Sequence, residues 1–298
     1  MYYVLCNPLS ANKQGAVLSQ TLISKLSDEE LEFVDIRTVG RYADFWKRID
    51  FQNDTIILSG GDGTLNRFIN ANADIELPPN LYYFAAGSGN DFKHDVSPNT
   101  DALIPLHKYI KDLPTVTVNG RTYYFLNGVG FGIDGYCCEI GDEMKKKTDK
   151  PINYTAIAIK GLLFGFTPAN ATVTVDGVTK KYKKVWIAPT MKGKYYGGGM
   201  MVTPAQNRFD PEGKVSVALM YGSGKLKTLT VFPSIFQGEH IKHTEMVDII
   251  TGHEITVTFD SPKALQIDGE TVLGVTSYTV SSGRKSAPVE AVAIVEVN

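Results

Sequence analysis

The chain has few cysteines, little net charge and no long apolar run. Three cysteines occur among its 298 residues, with neither the spacing of a zinc site nor that of a disulfide framework. The formal net charge of −2 gives no general attraction to nucleic acid, so no nucleic-acid partner is expected. No stretch approaches about 18 consecutive apolar residues, and residues 1–8 read as a strand rather than a signal peptide. We expect a cytoplasmic protein whose membrane contact, at the inner face, is peripheral.

Two familiar nucleotide-binding motifs are also missing. The sequence has no G-x-x-x-x-G-K-S/T segment, which excludes a P-loop ATPase, and no G-x-G-x-x-G follows its first predicted strand. Its five histidines lack zinc-ligand spacing and a nucleophile partner. Any phosphate chemistry must therefore use another kind of loop.

The most informative segment is a glycine run at residues 59–66, between a predicted strand and a predicted helix. Glycine permits positive φ and close approach of a ligand to the main chain. Free N–H groups at a helix N-terminus attract anions. Asp62 would repel a phosphate unless a divalent cation bridges them, so the run predicts a Mg²⁺–nucleotide site. The alternative is a tight strand–helix turn without a ligand.

The first part of the chain alternates between strands and helices. The predicted strands are 2–6, 32–36, 55–58 and 81–85, and the predicted helices are 16–26, 43–49 and 65–73. This order predicts a parallel sheet that binds its ligand at the carboxyl ends of the strands. Asp91 follows the strand after that of Asp62, so the two carboxylates could hold Mg²⁺ largely through water. Asn7, at the end of the first strand, offers an amide to a phosphate or base, or simply forms a turn.

From about residue 115 the pattern becomes antiparallel. Asn119-Gly120 and Asp176-Gly177 each lie between alternating runs and predict type I′ hairpins, and one helix is predicted over 152–166. We predict an α/β fold followed by a β fold: a parallel α/β nucleotide-binding domain, residues 1–114, then an antiparallel β-sandwich domain, residues 115–287. The last strand, within 288–298, could return to the first domain.

The second part contains three further candidates. Asp268, at the end of an apolar strand, could be a general base facing a nucleotide bound by the first domain, or part of a plain turn. Asp210 with neighbouring carbonyls could hold a second, structural Mg²⁺, or lie in a surface turn. The lysine run 145–147 beside the apolar helix could contact a membrane, or be solvated.

Together these motifs resemble the diacylglycerol kinase catalytic-domain family of bacterial and eukaryotic lipid kinases, sphingosine kinases included. The matching segments keep the family's order: 7–8, 60–66, 87–92, 127–134, 197–200, 204–205 and 267–270. The resemblance implies a nucleotide-binding domain of NAD kinase and phosphofructokinase type. It also implies transfer of the γ-phosphate of ATP to a lipid hydroxyl, with diacylglycerol as the default substrate and phosphatidic acid as the product.

The resemblance further implies which residues bind the nucleotide and its metal. ATP would contact a polar and glycine-rich set: Asn7, Thr38, Gly60, Gly61, Asp62, Gly63, Thr64, Asn66, Gly87, Ser88 and Asn90. Mg²⁺ would be held by Asp62 and Asp91. A structural Mg²⁺ is also implied near Asp210, although Pro211-Glu212 interrupts the usual Asp-Gly there.

The resemblance makes Asp268 the base, with Glu270 close by. Arg67 stands where the family usually has glutamate, and it could either add positive charge near the phosphates or remove a carboxylate that orders the site. Two alternatives stay open: a non-catalytic nucleotide- or lipid-binding member, and a soluble-substrate kinase of NAD kinase type. The expected partner is a lipid substrate at the membrane surface, and a homodimer is compatible with the sequence.

Overall fold

The chain divides into two units, residues 1–111 and residues 112–298. The boundary predicted from sequence follows residue 114. The computed structural model describes residues 1–26, 29–98, 102–148, 152–282 and 295–297. Within those ranges, no helix has both the length and the apolar character needed to cross a membrane.

The N-terminal unit is built on one sheet. Its strands are β1 (Tyr2–Cys6), β2 (Leu31–Asp35), β3 (Thr55–Gly60), β4 (Leu81–Ala85) and β5 (Ile104–Pro105). Its helices are α1 (Ser10–Lys13), α2 (Gly15–Lys25), α3 (Tyr42–Trp46), α4 (Asp62–Ala71), α5 (Asp91–Val96) and α6 (His107–Ile110). The strand order is β2-β1-β3-β4-β5, and β1 to β4 are parallel while β5 runs antiparallel to β4. The predicted parallel α/β fold is confirmed, with an antiparallel edge strand added.

Buried apolar side chains fill the centre of this sheet. Val4, Ile57 and Tyr83, on β1, β3 and β4, are fully buried, as expected for a parallel sheet covered by helices on both faces. Leu22 of α2 packs into the same cluster as Val4 and Ile57. The chain becomes polar and glycine-rich only where the strands end, so the candidate site lies at that edge of the sheet.

The C-terminal unit is mainly antiparallel. Its strands are β6 (Thr115–Val118), β7 (Arg121–Tyr124), β8 (Gly128–Phe131), β9 (Ala169–Val175), β10 (Val178–Val185), β11 (Thr190–Met191), β12 (Tyr195–Tyr196), β13 (Met200–Met201), β14 (Val215–Met220), β15 (Val247–Gly252), β16 (Glu254–Ile267), β17 (Glu270–Ser281) and β18 (Val295–Val297). Its helices are α7 (Ile133–Lys147), α8 (Tyr154–Lys160) and α9 (Lys225–Val231), and a π-helical turn, Gly161–Gly165, follows α8.

The long strand β16 organises this unit. One edge of β16 pairs with β17. The other edge pairs with β9 over Ile255–Phe259 and with β8 over Leu265–Ile267, so two groups of strands diverge from it. The main path of the sheet is β15-β14-β11-β8-β16-β17-β6-β7. The predicted antiparallel β domain is confirmed.

The hairpin turns follow their sequences closely. Asn119 and Gly120 have φ of 49° and 73°, and Asp176 and Gly177 have φ of 47° and 84°. Positive φ at both central residues is the requirement of the predicted type I′ turn. Asp268-Gly269 forms a third turn of this kind between β16 and β17, with φ of 45° and 94°.

Two features of this unit differ from the prediction. The single predicted helix, 152–166, consists of α8 and the π-helical turn, and α7 and α9 accompany it. The sequence did not predict helix α7, because glycine, tyrosine and cysteine in its first half have low helix propensity. A Cβ at Gly135 would lie 1.9 Å from the Ala264 carbonyl oxygen, so close packing on β16 stabilises α7 instead. Most of the predicted last strand lies outside the described residues, and β18 pairs with β10 of the C-terminal unit.

Candidate active site

Two loops at the carboxyl ends of β3 and β4 are in direct contact. A Cβ built on Gly87 would stand 2.3 Å from the Gly61 Cα, and one built on Gly61 would stand 3.1 Å from the Gly87 Cα. The Ala86 N–H also donates to the Gly60 carbonyl at 2.8 Å. These loops approach backbone to backbone, which only glycine permits at such distances.

The glycines therefore serve close packing rather than an unusual backbone conformation. Gly61 has φ of −94°, and neither Gly60 nor Gly87 lies in the left-handed region. A Cβ on Gly60 would stand 2.6 Å from the Cβ of Thr64. The positive φ that glycine permits does not occur at these positions.

The Asp62 carboxylate joins the two loops. Its Oδ2 accepts the Asp91 N–H and its Oδ1 accepts the Phe92 N–H, both at 2.9 Å. These N–H groups belong to the first turn of α5, where a negative charge is stabilised by the helix dipole. Asp62 and the buried Asp91 are thus brought together, as the sequence predicted for neighbouring strand ends.

The buried Tyr83 hydroxyl lies below these acids. Burial, together with the charges of Asp62 and Asp91, raises the pKa of Tyr83 well above its usual 10.0. The hydroxyl therefore stays protonated, and it donates a hydrogen bond to the Gly60 carbonyl oxygen at 2.9 Å. This bond fixes the last residue of β3 directly before the glycine run.

Helix α4 begins inside the glycine run, at Asp62. Gly61 precedes it in extended conformation and has no side chain to cap it. The N–H groups of a first helical turn have no partner within the helix and carry partial positive charge. The edge of the sheet therefore combines a helix N-terminus, which suits phosphate, with two carboxylates, which suit a divalent cation.

Several predicted nucleotide-binding residues also hold the loops in shape. Asn7 Nδ2 donates to Thr64 Oγ1 at 2.8 Å, which joins the end of β1 to α4. Asn90, with φ of 53°, closes its loop because its Oδ1 accepts the Gly87 N–H and its Nδ2 donates to the Gly87 carbonyl. Thr38 is exposed in a short helical turn after β2, where its hydroxyl donates to the Asp35 carbonyl at 2.8 Å.

The remaining predicted residues of this edge differ in exposure. Asn66 is buried on α4 and accepts from Asn70 Nδ2, while Gly63 is half-buried in the first turn of the helix. Ser88 is exposed in the second loop, and Arg67 is exposed on α4. Their roles toward a nucleotide stay predictions.

In the C-terminal unit, Asp268 is a buried carboxylate held by main-chain N–H groups. Its side chain is 6% exposed. Its Oδ1 accepts the N–H groups of Asn127 and Gly128 at 2.8 and 2.9 Å, and its Oδ2 accepts that of Leu126 at 2.6 Å. Hydrogen bonds to an ionised acceptor are the strong ones, so the carboxylate is fixed in one orientation. Asp268 is thus both a turn residue and a buried, oriented carboxylate.

Two family models match the chain. One, described as the diacylglycerol kinase catalytic domain, matches residues 1–117. The other, described as the YegS C-terminal NAD kinase beta sandwich-like domain, matches residues 127–289. The chain belongs to the diacylglycerol kinase catalytic-domain family. The family and fold class expected from the sequence are therefore confirmed.

Proteins named diacylglycerol kinase resemble this family member along most of its length. One from Mycobacterium tuberculosis is 23% identical over 271 residues, which cover 87% of this chain and 84% of that protein. One from Bacillus subtilis is 24% identical over 226 residues, 73% and 71% of the two chains. A crystal structure of a diacylglycerol kinase from Bacillus anthracis matches with a TM-score of 0.58 at 18% identity, covering 95% of this chain and 94% of that one, and shows the same fold. Family membership supports an ATP-dependent lipid kinase without specifying the lipid.

Sequence reasoning missed the residue that supports the Asp268 loop. Arg208 Nη1 donates to the Leu126 carbonyl and its Nη2 donates to Asn127 Oδ1, each at 2.5 Å. The Asn127 carbonyl in turn accepts the N–H of Lys192, itself a buried lysine, at 2.9 Å. Arg208 therefore donates to acceptors of the same loop whose main-chain N–H groups bind Asp268, and so stabilises the conformation of that loop. No local pattern marks this arginine, because its partners are about 80 positions away in the chain.

A second turn aspartate matches Asp268 in conformation but not in predicted role. Asp176 also precedes glycine in a type I′ turn, and its carboxylate accepts the N–H groups of His253 and Glu254 at 2.9 and 2.8 Å. The two aspartates share one local device, a turn carboxylate that caps the main chain of a neighbouring segment. Asp176 is therefore a matched reference for Asp268.

Asp134, the last residue of the matching segment 127–134, is a further buried acid. Its side chain is 7% exposed, and neither carboxylate oxygen has a hydrogen-bond partner among the described residues. Burial raises the pKa of Asp134 to about 7. The main-chain N–H groups of Gly135 and Asp134, and after them the Tyr196 hydroxyl, offset this only in part, without a hydrogen bond of ordinary geometry. A Cβ at Gly130 would lie 1.8 Å from Asp134 Oδ2, so this glycine makes room for the carboxylate. The group can hold or release a proton near neutral pH.

The other predicted residues of the C-terminal unit lie apart from a recognisable metal site. Asp210 is in a turn where its Oδ1 accepts the Glu212 N–H at 2.9 Å. Glu270 pairs with Ile267 across the turn that contains Asp268. Burial is the main cause that raises the pKa of Cys138, and the nearby charge of Glu270 adds a smaller contribution. Within the described ranges, no three or more His, Cys, Asp or Glu side chains cluster to hold a metal. A structural ion at Asp210 would need carbonyl and water ligands and stays a prediction.

Proposed function

We propose that this protein transfers the γ-phosphoryl group of ATP to the hydroxyl of diacylglycerol and so makes phosphatidic acid. The observation that carries this proposal is the bonding of two strand-end loops through Asp62, which puts two carboxylates beside the N-terminus of α4. Family membership supports the reaction class, and the names of the relatives support the lipid. The product places the enzyme in phospholipid biosynthesis.

The N-terminal unit supplies the phosphate and metal binding of this proposal. The N–H groups at the start of α4 bind phosphate oxygens, and the contact between Gly61 and Gly87 holds the second loop beside them. The site fits Mg²⁺, because carboxylate oxygens are ligands that this cation prefers and the Asp62 carboxylate is bonded to the main chain of the loop that carries Asp91. Asp62 and Asp91 would hold the ion, which when bound neutralises phosphate charge.

The C-terminal unit supplies the base. As the lipid hydroxyl oxygen bonds to the γ-phosphorus and the bond to ADP breaks, the hydroxyl proton passes to Asp268. Arg208 is a positioning residue in this proposal, since it acts through the loop that orients Asp268.

A comparison of two aspartate variants tests the proposal. Wild-type protein, Asp268→Asn and Asp176→Asn are incubated with labelled ATP, Mg²⁺ and diacylglycerol in mixed micelles. Loss of a general base costs about 10²–10⁴-fold in rate, so Asp268→Asn should fall by that factor. Asp176→Asn removes the same charge from the same type of turn and should keep most of the activity. Equal losses in the two variants would leave Asp268 a structural role only.

The same assay separates the alternatives. A non-catalytic member would bind ATP without producing lipid phosphate from any lipid, and the exposed Arg67 is the residue that favours it. In that case Arg67→Glu, which restores the usual family residue, is the informative variant. A kinase of NAD kinase type would phosphorylate NAD and leave diacylglycerol unchanged.

A further inference from the structure

Two large apolar side chains project from the C-terminal unit. Phe164 is 84% exposed and Leu226 is 78% exposed. They lie on neighbouring segments, because the Lys225 Nζ donates to the Leu163 carbonyl at 3.1 Å and each apolar residue directly follows one member of this pair. We call Phe164 and Leu226 the apolar tip.

The exposure of Phe164 is built into the π-helical turn. Leu162 of this turn is fully buried, and the Phe166 N–H donates to the Gly161 carbonyl at 2.8 Å. A Cβ at Gly165 would stand 2.2 Å from the Tyr136 hydroxyl oxygen, so the turn packs directly on α7. An anchored turn with one residue inside and another outside therefore holds Phe164 in solvent.

The two segments that carry the apolar tip contain only positive charges. Residues 152–168 and 222–238 contain three lysines and neither aspartate nor glutamate. Lys227 pairs with Glu245 at 2.7 Å, whereas Lys160 and Lys225 have no carboxylate partner in the part of the chain that the structure describes. The surface thus combines protruding apolar groups with uncompensated positive charge.

We propose that the apolar tip docks on an anionic lipid bilayer. Phe164 and Leu226 would enter the interface while Lys160 and Lys225 meet headgroup phosphates, the combination that peripheral membrane segments use. This proposal rests on the proposed function, since a diacylglycerol kinase must reach a substrate held in the bilayer. The proposed membrane contact differs from the one expected from the sequence, which was the lysine run 145–147 and the helix beside it. Lys145 of that run is paired with Asp142, and Ile157 of the neighbouring helix is buried.

Vesicle sedimentation tests the docking surface directly. Vesicles of phosphatidylcholine alone, and with phosphatidylglycerol added, are mixed with wild type, Phe164→Ser/Leu226→Ser, and Ile23→Ser. Ile23 is the control, as an apolar residue that is 51% exposed on α2. Each buried tip side chain is worth about tenfold in affinity, so the double variant should bind the anionic vesicles at least tenfold more weakly. The control should bind like wild type.

A tryptophan variant keeps the test independent of folding defects. Phe164→Trp should retain binding, because tryptophan favours the membrane interface, and its emission should shift to the blue on adding anionic vesicles. Unchanged binding of the double variant, equal binding to both vesicle types, or an unshifted tryptophan would overturn the proposal. So would conversion of a wild-type dimer into a monomer by the double substitution with vesicle binding intact, because the tip would then be a self-association surface.

The outcome is distinguishable from failure of the proposed function. Sedimentation needs neither ATP nor diacylglycerol, so binding without any kinase activity would contradict the proposed function alone. The double variant should also phosphorylate a dispersed short-chain diacylglycerol at the wild-type rate. Activity on that lipid in wild type, without vesicle binding, would contradict the docking surface alone.

Discussion

Replacing Asp134 by asparagine should remove a pH dependence from the stability of the protein. Asp134 is buried in the first turn of α7, and its carboxylate makes no hydrogen bond of ordinary geometry with the described residues. Asparagine has nearly the same shape and does not ionise. The variant therefore isolates the cost of the carboxylate charge, while all other titrating groups stay the same in both proteins.

The sign and size of the effect follow from the two pKa values. The folded-state pKa is about 7 and the ordinary value is 3.8. Between them the native state holds a proton that the unfolded chain has lost, so the free energy of unfolding falls as pH rises. Each unit of this difference is worth about 1.4 kcal/mol, so wild type should lose about 4 kcal/mol relative to the variant from pH 4 to above pH 7.

Urea unfolding of both proteins at half-unit steps from pH 4.5 to 8 measures this quantity. The difference in unfolding free energy, wild type minus Asp134→Asn, should decline with a slope near 1.4 kcal/mol per pH unit and become flat above pH 7. A difference that stays constant over this range would refute the reasoning. It would mean that the carboxylate is ionised throughout and has a partner for its charge.

Three further substitutions test the site. Gly87→Ala should lower the free energy of unfolding in urea by about 1–3 kcal/mol, because its Cβ would overlap the Gly61 main chain. Gly224→Ala is the control and should cost much less, because a Cβ there would meet no atom within 4 Å. Similar costs for the two variants would contradict the packing role of Gly87. In Asp62→Asn, the amide N–H₂ would face an N–H group of α5, so two donors would be opposed. Calorimetry should therefore detect weaker Mg²⁺–ATP binding. Unchanged affinity would show that Asp62 does not contribute to the binding site. Arg208→Lys cannot donate to both loop acceptors in a fork, so kcat should fall about tenfold with KM for ATP unchanged, and a change in KM alone would argue against positioning.

The local features of the site could be read from the sequence. Strand ends and turns depend on nearby residues, so the glycine run, the Asp91 loop and the Asn-Gly and Asp-Gly hairpins were predicted where they occur. The purpose of the glycines was partly misjudged. Whether glycine serves positive φ or close packing depends on what lies opposite it, and the partner of Gly61 is Gly87, on another loop.

Long-range contacts account for what the sequence did not indicate. Asp268 accepts main-chain N–H groups about 140 positions away, and Arg208 supports that same loop from about 80 positions away. The sequence did not predict helix α9, because Thr228, Thr230 and Val231 are β-branched and favour strands. Its packing against the π-helical turn, held by Lys225, overrides that preference.

The shared pairing of β16 has a consequence for folding. One continuous strand carries β9 on its first half and β8 on its last, so neither group of strands can separate without disturbing the hydrogen bonds of the other. The C-terminal unit should accordingly melt as one cooperative block, with the slowest amide exchange in β16 and similar protection in β8 and β9. A destabilising substitution near the Asp268 turn would then lower the free energy of global unfolding of the whole unit, and would not cause local fraying alone.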